Sequence, residues 1–112
     1  MTGLSEDIAV ARFAALASEA RMRVFRLLMQ AGPNGVAAGR LSDALDIAPS
    51  NLSAHLNTLR HAGLVTVRRD GRSRIYAANL TATGALVEYL VADCCDGHPE
   101  ICRVIDAGRL AG

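Results

Sequence analysis

The sequence predicts a mainly α-helical fold with one small β-hairpin. Three observations carry that expectation: apolar residues recur at helical spacing through most of the chain, aromatic residues are few, and one stretch alternates in a strand-like way around an Asp-Gly pair. With 112 residues the chain is expected to be one domain with one core, small enough that pairing with a second copy would add burial. There is no Trp, and the aromatic residues are Phe13, Phe25, Tyr76 and Tyr89. A core of Ala, Leu and Val suits packed helices better than a β-sandwich.

The elements follow in order. Ser5 is placed to cap a first helix, Glu6 and Asp7 suit its positive end, and Ile8, Val10, Phe13 and Leu16 among several alanines give it apolar residues on more than one side. Ser18 and Glu19 start a second helix through Met22, Val24, Phe25, Leu27, Leu28 and Met29, which Gly32-Pro33-Asn34-Gly35 ends. A short helix over 37–45 carries Leu41, Ala44 and Leu45 on one side. After Asp46-Ile47-Ala48 a longer helix over 49–61 opens at Pro49, a residue well tolerated in a first turn.

In that longer helix Leu52, Leu56 and Leu59 fall at i, i+4 and i+7, one buried stripe, which leaves Ser50, Asn51, Ser53, Ala54 and Asn57 on the remaining surface. Small and amide side chains facing outward, with no acidic residue in the helix, suit entry into a DNA major groove, where carboxylates would be repelled by phosphate. Gly63 closes the helix. Residues 64–69 and 73–77 then read as two strands around Asp70-Gly71, and Asn79 or Thr81 is placed to cap a last helix through Leu86, Val87, Leu90, Val91 and Cys94. Gly97 and Pro99 are expected to stop it. The whole order is that of a winged helix-turn-helix.

The net charge is only +1, but its distribution is uneven. Arg60, Arg68, Arg69, Arg72 and Arg74 are set against Asp70 alone, whereas the tail carries Glu88, Asp93, Asp96, Glu100 and Asp106 against Arg103 and Arg109. The basic segment suits phosphate; the tail does not. No stretch approaches the roughly 18 apolar residues of a membrane span, and residues 1–7 lack the pattern of a secretory signal. A cytoplasmic protein with no membrane partner is the expectation.

Five blocks carry a family resemblance: LASEARMRVFRLL (16–28), LSDAL (41–45), SNLSAHLNTL (50–59), AGLV (62–65) and DGR (70–72) followed by Tyr76. In this order they resemble the ArsR/SmtB family of metal- and metalloid-sensing repressors, over nearly the whole chain. The resemblance implies a homodimer built through the first and last helices, with two recognition helices reading successive major grooves of a partly palindromic operator. It assigns DNA contact to Ser50, Asn51, Ser53, Ala54 and His55 on the recognition helix and to Arg72 and Arg74 on the wing. A lone helical histidine is more often an ordinary half-buried residue, but the matched block around His55 favours phosphate contact.

All three cysteines lie in CCDGHPEIC (94–102), as Cys94, Cys95 and Cys102. In a cytosolic protein such clustering points to metal binding or redox chemistry before a structural disulfide. Buried cysteine as a plain small residue is the bland alternative, and it leaves the clustering unexplained. Soft sulfur ligands select thiophilic centres. Trivalent arsenic takes three sulfurs in a pyramid, its lone pair filling the fourth direction, so As(III) as an inducing ligand fits three thiolates without a further donor. Zinc would have to recruit His98, Asp93, Asp96 or Glu100, or keep a water.

Vicinal cysteines followed by Gly, Pro-Glu and a third Cys resemble the arsenite-sensing members that bind at the end of the last helix. The chain departs from the better-known pattern with cysteines on the short helix, since residues 37–39 are Ala-Ala-Gly. The family's two-histidine, two-acid zinc site is unsupported, because the last helix carries no His before its cysteines. A redox sensor forming a disulfide and a zinc or cadmium sensor remain alternatives. A thiol-dependent enzyme is disfavoured by the lack of a phosphate-cradling Gly loop and of a strand-rich α/β scaffold.

Overall fold

The computed structural model describes residues 4–92. Along the chain run α1 (Glu6–Leu16), α2 (Glu19–Ala31), β1 (Val36–Ala37), α3 (Ala38–Leu45), α4 (Pro49–His61), β2 (Val65–Asp70), β3 (Ser73–Ala78) and α5 (Leu80–Val91). The expected winged helix-turn-helix is the observed fold. Its helix starts are fixed by short polar side chains: Ser5 accepts from the Ile8 amide, Ser18 from Arg21 and Asn79 from Ala82. Of the two residues that could have capped α5, Asn79 does so.

Two elements differ from the sequence reading: the start of the short helix, and the hairpin. The hairpin strands are Val65–Asp70 and Ser73–Ala78, and the turn falls one residue later than Asp70-Gly71 because Asp70 pairs with Ser73. Ala37 is not helical: with Val36 it forms β1, which pairs antiparallel with β3 through Val36↔Tyr76 and Ala37↔Ile75. The wing is therefore the outer part of a three-stranded sheet of order β1-β3-β2. A two-residue strand is too short to show a period of two, and what creates it is a turn. Gly35, at φ 77°, brings the chain so close to β3 that a Cβ would lie 2.6 Å from the Tyr76 carbonyl oxygen. Only glycine fits there. The hairpin itself pairs Val65 through Asp70 with Ala78 through Ser73, leaving Gly71 and Arg72 as its two central residues. Gly71, at φ 63°, holds the first of them, where a type II′ turn needs glycine.

Two helix ends, those of α1 and α3, are closed in part by arginines of α2. Neither α1 nor α3 has a basic residue in its last turn. Arg21 donates its Nε to the Ala15 carbonyl of α1 at 2.6 Å, and Arg23 donates Nη2 to the Leu45 carbonyl of α3 at 3.3 Å. Each places positive charge at the negative end of a helix and satisfies an orphan acceptor. These guanidiniums serve the fold, so the number of arginines overstates the charge free to meet DNA.

The core gathers Val24, Phe25 and Leu28 of α2, Leu41 and Leu45 of α3, the Leu52-Leu56-Leu59 stripe of α4, and Leu64, Val65, Tyr76 and Leu86. The three stripe leucines are at most 2% exposed, each stabilising the fold by roughly 1.5–3 kcal/mol through burial. The terminal helices behave otherwise. In α1 it is Ala9 and Ala15 that are buried, while Ile8, Val10 and Phe13 face outward; in α5 Ala82 and Leu86 are buried, while Leu80, Val87 and Leu90 are exposed, the last at 63%. Thus α1 buries only alanines, α5 adds one leucine to the core, and both present several large apolar side chains to the surface.

Candidate nucleic-acid interface

The approach to DNA begins with the turn between α3 and α4. Asp46 ends α3 in the left-handed region at φ 54°, a conformation that Asp tolerates better than most residues. Ser42 braces this turn twice: the Ile47 amide donates to its carbonyl at 3.2 Å, and its hydroxyl donates to the Ile47 carbonyl at 2.5 Å. The angle between the two helices is set there. Ser42→Ala is expected to lower stability by about 1 kcal/mol, read as a reduced urea midpoint with an unchanged m-value.

With its leucine stripe buried, α4 has one orientation. Ser50, Asn51, Ser53, Ala54 and Asn57 are exposed along its outer face, as the periodicity predicts, and His55 is half-buried at the edge of that face. No side chain caps the start of α4; the N-cap residue is Ala48 and Pro49 occupies the first turn. Asn51 presents an amide able to form a paired contact with a base edge. Asn51→Ala is expected to reduce the ratio of operator to random-sequence affinity by about 1–3 kcal/mol, measured by fluorescence anisotropy on both duplexes. An unaltered ratio removes Asn51 as a base reader.

Alternation along the hairpin sorts the arginines. Val65, Val67 and Arg69 share one face with Ala78, Tyr76 and Arg74, and this is the face turned to α4. Between α4 and the hairpin lies an open cleft of about 270 Å³, with Asn57 and Arg60 on the helix side, Arg69 and Arg74 on the strand side, and Val67 and Tyr76 as apolar lining. Arg69 and Arg74 are direct cross-strand partners. Like charges so placed repel, and an anion held between them would offset that repulsion by attracting both. Arg68 borders the cleft but sits on the other face of the hairpin and donates Nη2 to the Asn34 carbonyl at 3.1 Å. Arg72 is at the exposed turn.

Of the wing residues singled out from sequence, then, Arg72 lies at the tip and Arg74 in the cleft. Arg60 of α4 and Arg69 complete the cleft, and strand register is the signal that finds Arg69: counting back from the Gly71-Arg72 turn pairs position 69 with 74. The cysteine site falls elsewhere. Cys94, Cys95 and Cys102 lie outside the described residues, and among the described residues no group of His, Cys, Asp and Glu is arranged to hold a metal ion. Nor, among them, is any helix long and apolar enough to cross a membrane.

A braced helix-turn-helix followed by an arginine-bearing hairpin defines a winged helix-turn-helix DNA-binding regulator. Residues 16–68 match the helix-turn-helix domain family. The transcriptional activator HlyU of Vibrio cholerae is 34% identical over 82 residues, 73% of each chain. Its solved structure superposes with a TM-score of 0.64 at 31% identity, covering 82% of this chain and 99% of that one. A putative arsenical resistance operon repressor ArsR of Halobacterium salinarum is 37% identical over 84 residues, 75% of this chain and 63% of that one. A homodimeric winged helix-turn-helix DNA-binding domain of Mycobacterium bovis, a possible ArsR-family regulator, has a TM-score of 0.63 at 27% identity, covering 84% and 92%. The chain belongs to the ArsR/SmtB family of transcriptional regulators.

Proposed function

We propose that the protein is a homodimeric, operator-binding repressor that leaves DNA when trivalent arsenic is bound by Cys94, Cys95 and Cys102. The observation that carries this reading is the confinement of all the cysteines to residues 94–102, three positions after the end of α5. In favour of the dimer are the exposed apolar residues of α1 and α5 and the homodimeric state of the Mycobacterium bovis relative. Two such faces brought together would bury Ile8, Phe13, Val87 and Leu90, which a lone subunit leaves to water. The Halobacterium salinarum relative supports both the repressor role and the arsenic ligand.

In this reading Asn51 and its neighbours on α4 read base edges, while Arg60, Arg69, Arg72 and Arg74 hold backbone phosphates. Three thiolates close around arsenic beside the dimer seam and change the angle between subunits, so the two recognition helices no longer match successive grooves. The protein remains cytoplasmic and performs no catalysis. Its test is anisotropy with the duplex from upstream of its own gene under reducing conditions: arsenite at stoichiometric excess is expected to weaken binding, and an unchanged affinity overturns the ligand assignment.

One observation favours a second reading. Structures of Vibrio cholerae HlyU include one of the reduced protein. A regulator that responds to thiol oxidation would release DNA with peroxide and regain it with a dithiol reductant, independently of arsenite. The same anisotropy assay with peroxide in place of arsenite separates the two.

A further inference from the structure

We propose that Arg12 and Asn79 are positioning residues for DNA binding: together they hold the C-terminal end of the recognition helix to the two terminal helices. The end of α4 is a Schellman motif, with Leu64 donating to the Leu59 carbonyl at 3.0 Å and Gly63 donating to Arg60 at 2.9 Å. That motif leaves the carbonyls of Ala62 and Gly63 without a partner in their own helix. Both are taken up from outside. Arg12 of α1 donates its Nε to the Ala62 carbonyl at 3.0 Å, and Asn79 donates Nδ2 to the Gly63 carbonyl at 3.1 Å.

Asn79 grips the segment a second time, its amide donating to the Leu64 carbonyl at 2.8 Å, while its Oδ1 caps α5 through the Ala82 amide. Gly63 makes the grip possible twice over. At φ 84° it adopts the left-handed conformation the motif requires, and a Cβ there would lie 3.1 Å from the Arg12 guanidinium. One bond from α1 and two from α5 thus converge on consecutive residues that directly follow the recognition helix. Each clasp residue also stands beside an exposed apolar neighbour on its own helix, Phe13 after Arg12 and Leu80 after Asn79.

The consequence is mechanical. At its start α4 is aimed by the braced turn to α3, and at its end by α1 and α5. A displacement of either terminal helix therefore reaches the end of α4 through directional hydrogen bonds as well as through the shared apolar core. This inference rests on the proposed DNA-binding role of α4, and it adds that the aim of α4, not only its outward residues, determines discrimination.

Two substitutions separate the clasp from its neighbours. Asn79→Ser keeps a capping oxygen for α5 but cannot reach the Gly63 carbonyl, and Arg12→Met keeps the aliphatic stem while removing the donor. Hydrogen–deuterium exchange of the free proteins is expected to rise over residues 60–64 and to stay unchanged in α2 and α3. Anisotropy is expected to show operator affinity reduced about fivefold per lost bond, with affinity for a random-sequence duplex held near that of the wild type for Asn79→Ser. Arg12→Lys, which restores a donor and the charge, is expected to recover part of the operator affinity. A purely structural role would lower the melting temperature and leave the operator-to-random ratio of the folded protein as it was; that result, or unchanged exchange over 60–64, overturns the proposal. Failure of the wild type to prefer its operator refutes the DNA-reading role instead, and is seen before any variant is made.

Discussion

Cys102→Ser is expected to fold, dimerise and bind operator DNA as the wild type does, and to lose release by arsenite. Two thiolates cannot satisfy a centre that takes three, so affinity for arsenite falls, while nothing in α4 or the wing is touched. In the wild type, DNA and arsenite must weaken each other by the same factor, because both act on one equilibrium between subunit arrangements. Couplings of about 1–3 kcal/mol correspond to roughly 5- to 150-fold, enough to empty an operator. The measurement is arsenite affinity with and without saturating operator, for wild type and Cys102→Ser. Equal wild-type affinities in the two states would sink the allosteric mechanism even if all three cysteines bound arsenic.

Gly35→Ala is expected to destabilise the fold by about 3 kcal/mol, a combination of left-handed backbone strain and overpacking. The new methyl would meet the Tyr76 carbonyl at 2.6 Å and the Ile75 Cγ2 at 2.8 Å. The isoleucine can turn aside; the carbonyl belongs to the central strand of the sheet and cannot. Relief would require β1 to leave β3, which removes the pairing of Val36 with Tyr76 and frees the start of α3. Gly39→Ala is the control, since nothing lies within 4 Å of its added Cβ and its helical position favours alanine. Urea denaturation of both variants checks the contrast: a Gly35→Ala midpoint equal to that of Gly39→Ala would mean that β1 is not held against β3 in solution.

Much of the fold was legible because periodicity and caps are local. The spacing of the Leu52-Leu56-Leu59 stripe by itself orients α4, and with it the outward set Ser50, Asn51, Ser53 and Ala54. Ser5, Ser18 and Asn79 marked helix starts by the chemistry of a side-chain oxygen three residues ahead of a free amide. The Asp70-Gly71 pair announced the hairpin, although its turn is centred one residue later, on Gly71-Arg72, and the confinement of the cysteines to nine residues is a property of the sequence alone.

Tertiary structure decided what depends on residues far apart. β1 exists only because β3 is there to pair with it, and two residues carry no period that could announce it. Charge along the chain could not separate Arg68, which donates to Asn34, from Arg69, which faces the cleft; strand alternation and the packing of α4 on one side of the sheet did that. Arg12, Arg21 and Arg23 were indistinguishable from surface cations until each was seen to close a helix end, bonds that join residues as many as 50 positions apart. A side-chain oxygen that caps its own helix leaves a trace at fixed spacing, whereas a guanidinium that caps another helix leaves none, and so the first was determined by the sequence and the second only by the fold.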